Sequence, residues 1–372
     1  MKKSVAIITY SLGNHPSALA ERMNVLYDTL VKNNIHVKAI YSLGSARSSK
    51  DLNAKGFNES KKYIFIRVIN EIFVGIKFLY YIFLLRKSDY FIVSSPPFFL
   101  AIVVSLTLRF FRLKYWLDIR DLYPEALSDA AIITKGNIIY KFLSWIANST
   151  YKKAEGVLLA SPGFIKTISV NKKYIFQNGF PEKYFYIRPK KYSKKTICVH
   201  GTFGYFQDVE FILQLSRLLH KKDINLLLIG GGIKFDGIKK LNLPNVKIFD
   251  KVSNKKCIDI ISKCHIGLSF RDTSDLSKNA FPVRVWEYLG LNIPCVIFPS
   301  FTNVNQSIKK TNLLYFLPKR CEFLAMKEIM LIFKKDTTKF YMKNNGINKA
   351  LLESFTREVL SMKACKFLIK NS

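Results

Sequence analysis

Apolar positions along this chain fall into two rhythms. Short, nearly continuous apolar runs at 5–10, 36–41, 90–95, 156–160, 196–201, 225–229, 245–249, 266–270 and 293–298 predict buried β-strands. Between them, apolar residues recurring at helical spacing predict helices over 17–31, 98–108, 138–151, 283–291 and 322–334, with most of 340–369 helical as well. A polar loop covers 42–59 and a further short strand is expected at 63–67. Strand, loop and helix in repetition predict an α/β fold of doubly wound, Rossmann-like domains. In such sheets ligands sit at the carboxyl edge of the strands.

The stretch 69–85, INEIFVGIKFLYYIFLL, breaks the amphipathic rule. It is apolar on nearly every face, interrupted by Asn70, Glu71 and Lys77 and closed by Arg86 and Lys87. Such a helix lies either deep in a core or against lipid. The basic flank and the aromatics Phe78, Tyr80 and Tyr81 favour a bilayer interface, with Phe73 and Tyr80, seven residues apart, on the lipid face. The apolar helix after Pro96 and Pro97 is too short to span, and no uninterrupted run approaches the length of a spanning helix.

Length and charge refine this picture. A chain of 372 residues exceeds one ordinary core, so two domains are expected. The boundaries read as 1–180, a polar basic linker at 181–195, a second domain at 196–349, and a terminal helix at 350–372 that returns to the first domain. Lys and Arg number 59 against 26 Asp and Glu, a formal charge of +33, which favours anionic partners. The basic residues are scattered in ones and twos and no nucleic-acid-binding motif accompanies them, so a bilayer face or phosphorylated substrates fit better than nucleic acid. Six cysteines, never as C-x-x-C, read as free thiols of a reducing compartment, and the amino-terminal apolar run is too short for a secretory signal. The expectation is a cytoplasmic protein, peripheral on the inner face of the cell membrane.

Candidate chemistry gathers where strands end. Gly13 follows the first strand, without a G-x-G-x-x-G pattern; Gly201 and Thr202 follow the strand at 196; Gly230 and Gly231 follow the strand at 225, where a ligand could approach the backbone closely. Asp118, Arg120, Asp121 and Glu125 cluster after an expected strand, Asp121 being a candidate catalytic group or a helix cap. His200 reads as a satisfied strand-end histidine. Glu287 has the chemistry to accept two hydrogen bonds from a vicinal diol, with Arg284 one turn earlier.

Two phrases carry a family resemblance. FPVRVWEYLGLNIPCVI, at 281–297, resembles the donor-site signature of retaining GT-B glycosyltransferases of the family-4 kind. Ser94-Ser95-Pro96-Pro97 with Arg120-Asp121-Leu122-Tyr123-Pro124-Glu125 resembles the paired motifs of the bacterial members that build capsule, O-antigen or lipopolysaccharide. The resemblance implies a GT-B fold, two such domains facing across a cleft. It also implies transfer of a hexosyl or N-acetylhexosaminyl unit, with retention, from a UDP-linked nucleotide-sugar to a polyprenyl-diphosphate-linked saccharide.

In that family Glu287 would hold the ribose, Arg284 would stand in the place of the signature Lys, and Arg22 would fall where a basic residue near the donor is often found. Asp121, Arg284 and Glu287 are then the catalytic candidates, and Ser95, Arg120 and Glu125 join Phe73 and Tyr80 on the acceptor and membrane side. This chain departs from the pattern at three places. No Arg or Lys lies between His200 and Glu210 to clamp the diphosphate, Arg120 replaces a His, and Asn279 stands where an acid usually holds the donor sugar. No D-x-D pair is present, so no metal and no cofactor beyond the donor is expected. A nucleotide-sugar epimerase on the same fold and a non-catalytic membrane partner are the alternative readings.

Overall fold

The computed structural model describes residues 3–55, 64–239, 243–301, 306–309, 311–335 and 345–371. The chain divides into two compact units, Met1–Asn178 with Glu358–Ser372, and Gly179–Arg357.

The first unit is built on a seven-stranded parallel sheet. From edge to edge its strands are Leu52–Asn53, His36–Tyr41, Ser4–Ile8, Tyr90–Ser95, Tyr115–Ile119, Gly156–Leu159 and Lys173–Ile175. The order reverses between Ser4–Ile8 and Tyr90–Ser95, the switch point of a doubly wound sheet. Alternation of side chains across each strand divides the core in two. Val5, Ile7, Ile92, Trp116 and Leu158 face the helices Ala18–Lys32 and Arg357–Asn371, whose Leu26, Leu30, Ala364 and Leu368 share that cluster. Tyr115 points the other way, and its hydroxyl donates to Thr150 O on the helix Ile138–Lys153. Three helices, Ile64–Leu84, Phe98–Phe110 and Ile138–Lys153, lie side by side in that order.

The second unit is a six-stranded parallel sheet: Val246–Phe249, Asn225–Gly231, Thr196–Thr202, Ile266–Phe270, Cys295–Phe298 and Leu314–Phe316. In sequence rank this is 3-2-1-4-5-6, the dinucleotide-fold order. Ile197, Val199, Leu226, Leu268 and Val296 pack on the helices Val209–Lys221 and Glu322–Lys334. Cys198, Leu227, Ile229 and Ile297 pack on the helices Val283–Gly290 and Asn254–Ser262.

Several expectations need correction. The stretch 181–195 is no linker, because Tyr184 and Phe185 are buried in the second unit's core and the Lys191 ammonium donates to Ser262 O and Cys264 O. Alternating apolar and basic residues looked like loop because the apolar ones dock singly. The short strand expected at 63–67 is the start of the helix Ile64–Leu84, with position 63 outside the described residues. The terminal helical region divides into Asn345–Glu353, in the second unit, and Arg357–Asn371, which joins the first unit from Glu358; 340–344 lie outside the described residues. All six cysteines are free.

Candidate functional site

The carboxyl edge of the second sheet collects most of the residues expected to bind the donor. Gly201 pairs with Gly230, and Thr202 with Gly231, in one parallel register. Gly201 has φ 103° and Gly230 φ 156°, and a Cβ on Gly230 would strike the Gly201 carbonyl, so the close approach of these strand ends requires glycine. Arg284 reaches the same edge from the first turn of Val283–Gly290, its Nη2 donating to Thr202 O at 3.3 Å. Its Nη1 is shielded from solvent and has no hydrogen-bond partner among the described residues. Burial pulls its pKa down, while Tyr288 and Glu287 act against that shift. A guanidinium edge with an unused donor is suited to an anionic ligand.

One turn on, Glu287 is held by a group that sequence reasoning had set aside. His200 Nε2 lies 2.6 Å from Glu287 Oε2, and Nδ1 lies 2.9 Å from the Tyr288 hydroxyl. The Tyr288 hydroxyl in turn is 3.1 Å from Cys198 O. Burial raises the Glu287 pKa, but the His200 hydrogen bond and charge, with Arg357 and Arg284, outweigh it and hold the carboxyl below its ordinary range. No periodicity joins residues 87 positions apart. The available signal was only that His200 ends a strand and that Tyr288 follows Glu287.

The loop after Thr202 spends peptide N–H groups and carbonyls on the protein itself. Phe203 N already donates to Gly231 O and Gln207 N to Gly204 O, while the Lys234 ammonium ties the loop through Tyr205 O and Gln207 O. The N-terminus of Val209–Lys221 is capped by Asp208, itself paired with Arg320. The N-terminus of Val283–Gly290 has Pro282 at its cap with no side-chain hydrogen bond. That leaves the helix bearing Arg284 and Glu287 as the better anion site of the two. Asn279 is set inside the short helix Asp275–Asn279, where its amide donates to Asp275 O. Asp272 accepts from Ser274 N, Ser274 Oγ and Ser277 Oγ, so this carboxylate organises its own loop. No group of His, Cys, Asp and Glu among the described residues could hold a metal ion.

In the first unit, Arg22 is 2% exposed and Asp118 fully buried. Arg22 donates to Asp118 through Nε at 3.1 Å and Nη2 at 2.7 Å, to Phe176 O at 2.6 Å and to Asn178 Oδ1 at 3.2 Å. It also stacks 3.8 Å over the Phe176 ring. Placed on a donor diphosphate by the resemblance, Arg22 instead ties the first helix to the strand Tyr115–Ile119 and to the segment behind Lys173–Ile175. Gly13, φ 64°, is clamped by Asn24, whose amide oxygen accepts from its N–H and whose Nδ2 donates to its carbonyl, both at 2.8 Å.

Ser94 pairs in register with Asp118, and Ser95 with Ile119, at the carboxyl edge of this sheet. Arg120 N donates to Ser95 O and Arg120 Nη2 to Pro96 O, and burial pulls the guanidinium pKa down. Asp121 is half-buried beside Arg120 and Tyr123 and caps nothing, because the next helix, Glu125–Asp129, begins after Pro124. Glu125 opens that helix near Tyr140 and Tyr151. Ser95, Arg120, Asp121 and Glu125 thus share one edge of the first unit.

The long apolar helix has two unlike faces. Val74, Phe78 and Ile82 are buried, and Asn70 and Glu71 also turn inward, whereas Lys77 is exposed. Asn70 bonds the Tyr10 hydroxyl, and Glu71 pairs with Arg67 and accepts from Phe99 N at the start of the neighbouring helix. Ile69, Ile72, Phe73, Ile76, Tyr80 and Phe83 are exposed, Tyr80 at 65%. The exposed apolar strip continues through Phe111, 6.5 Å from Phe83, and reappears on the third helix of the layer at Phe142 and Trp145. Arg86 lies over the Phe83 ring and Lys77 over the Phe73 ring. No helix among the described residues is long and apolar enough to cross a membrane.

No protein-family model matches the chain. The probable glycosyltransferase WbjE of Pseudomonas aeruginosa is 23% identical over 170 residues, a match that covers 42% of this chain and 42% of that protein, so less than half of the relative's length is matched. Sucrose-phosphate synthase from Thermosynechococcus elongatus superposes with a TM-score of 0.74 at 12% identity, covering 99% of both chains. HepE of Anabaena, solved in complex with UDP and glucose, superposes with a TM-score of 0.68 at 12% identity, covering 99% of this chain and 100% of its own. The chain therefore has two Rossmann-like halves with the fold of the GT-B glycosyltransferases.

Proposed function

We propose that the protein transfers a sugar from a nucleotide-diphosphate donor, UDP-linked like the UDP-glucose with which HepE has been solved, to a lipid-linked saccharide in surface-polysaccharide synthesis, with retention of anomeric configuration. The observation that carries this reading is the helix Val283–Gly290, which brings the unused edge of Arg284 and the ionised carboxylate of Glu287 to one sheet edge beside Gly201 and Gly230.

The chemistry follows from those groups. Glu287 accepts hydrogen bonds from the ribose, and Gly201 and Gly230 let the nucleotide approach the backbone. As the bond from anomeric carbon to phosphate oxygen breaks, negative charge grows on the leaving diphosphate. Arg284, the uncapped helix start and no metal ion offset it, and the diphosphate takes the acceptor's proton on the same face. The exposed apolar strip with Lys77 and Arg86 supports contact with an anionic membrane surface, where a polyprenyl-diphosphate-linked acceptor resides.

The test is transfer of label from a panel of radiolabelled nucleotide-sugars into lipid extract from membranes. Label recovered only in an isomeric nucleotide-sugar would select the epimerase, and nucleotide binding without any product would select a non-catalytic partner.

A further inference from the structure

We propose that His200 is the positioning residue for nucleotide recognition: it locks one oxygen of Glu287 and so presents the other, Oε1, to the ribose. This inference rests on the assignment of Glu287 to the ribose and deepens it.

An ionised carboxylate only accepts hydrogen bonds, so at 2.6 Å the proton of that contact belongs to His200 Nε2. The opposite nitrogen fixes the ring. When the imidazole is neutral, the Tyr288 hydroxyl donates to Nδ1; when it carries both protons, Nδ1 donates to Tyr288 and the hydroxyl proton turns to Cys198 O. In both states an N–H faces Glu287. Tyr288 is itself immobilised, fully buried, with its ring pressed on Gly267 so closely that a Cβ there would collide with it. His200 is 3% exposed and stands edge-on to that ring, centroids 4.9 Å apart.

Order therefore passes from the sheet backbone to Tyr288, to the imidazole, and to the carboxylate. The helix Val283–Gly290 supplies two consecutive side chains, Glu287 and Tyr288, that the two imidazole nitrogens bridge. Besides His200, the cationic Arg284 and Arg357 act on Glu287, and the Cys257 thiol interacts with it as well. The His200 N–H at Oε2 adds a fixed direction that charge alone does not supply. Without His200 the carboxylate is free to swing toward those cations, and the diol then meets a misplaced acceptor. A histidine that only filled space would affect all nucleotides alike, whereas a positioning histidine affects only those with ribose hydroxyls.

The experiment is titration calorimetry of the full-length protein with UDP and with 2′,3′-dideoxy-UDP. His200→Leu is expected to weaken UDP about tenfold, the low end of a lost hydrogen bond to a charged group. The same variant should change dideoxy-UDP less than about twofold, since no hydroxyl is read there. His200→Gln, which keeps an N–H near the Nε2 position, should recover most of the UDP affinity. Tyr288→Phe, which frees the ring, is the second variant should His200→Leu fail to fold, and it should show the same selective loss in smaller degree. Equal weakening of both nucleotides, or unchanged UDP affinity in folded variants, overturns the positioning role while leaving Glu287 on the ribose. Wild-type protein that binds UDP and dideoxy-UDP alike overturns the Glu287 assignment itself, and this proposal with it.

Discussion

Replacing Arg22 with Met separates the two roles open to this residue. A donor contact predicts lost nucleotide affinity in a protein of unchanged stability, and an internal strut predicts the reverse. The structure places Asp118 at zero exposure with two of the Arg22 nitrogens on its oxygens, its remaining hydrogen-bond partner being Ser94 Oγ at 3.4 Å. Removing the guanidinium strands a buried carboxylate, and breaking such pairs from one side costs about 3–5 kcal/mol. With denaturant slopes of roughly 1–3 kcal/mol per molar urea, the midpoint should fall by about 1 M or more. Trp116, in the same core cluster, reports the transition by fluorescence. The double variant Arg22→Met with Asp118→Leu removes both charges and should regain most of the loss, to within about 1–2 kcal/mol of wild type. A single variant that loses less than about 1 kcal/mol, or one that loses UDP affinity at full stability, would refute the strut and return Arg22 to the donor.

Other outcomes follow from the second unit and the exposed face. Arg284→Ala should lower kcat by about 10²-fold or more with acceptor KM little changed, and chelator should leave wild-type turnover intact; activity lost to chelator and restored by Mg²⁺ would count against the metal-free assignment. The folded pKa of Glu287 is depressed, so its contribution to stability is present above the ordinary carboxylate range and is lost as pH falls through the folded value. Urea midpoints of wild type and Glu287→Gln should accordingly differ most near neutrality and converge in acid; a constant gap across pH would contradict the shift. Trp145, 67% exposed, should move to shorter emission wavelength on vesicles containing anionic lipid, and the double variant Phe73→Asp with Tyr80→Asp should abolish sedimentation with them while the circular dichroism is unchanged.

Much of the architecture was legible because burial leaves a period in the sequence. The strands His36–Tyr41, Tyr90–Ser95 and Ile266–Phe270 fall where continuous apolar runs placed them, and the helix Glu322–Lys334 where helical spacing did. A strand buried on both faces must be apolar throughout, and a packed helix must repeat its apolar positions, whatever lies on the other side. The inward turn of Asn70 and Glu71 was not legible, since polar residues in an apolar run carry no mark of the Tyr10 hydroxyl or the Phe99 N–H that satisfies them.

The site shows the same division more sharply. Gly201, Gly230, Arg284 and Glu287 could be named from strand ends and a local motif, because each is identified by neighbours in sequence. Arg22 could not be told from a ligand contact, because its partner Asp118 is 96 residues away and no local pattern records a buried ion pair. His200 is the satisfied strand-end histidine that its place predicted, but its partners Glu287 and Tyr288, 87 and 88 residues away, left no local mark for the same reason. Sequence by itself determined which segments fold and which edges carry polar groups, since those depend on composition within a few turns. Only the tertiary structure decided whether a charge at such an edge is spent on the protein or kept for a ligand, because that depends on which distant atoms the sheet order brings within hydrogen-bond reach.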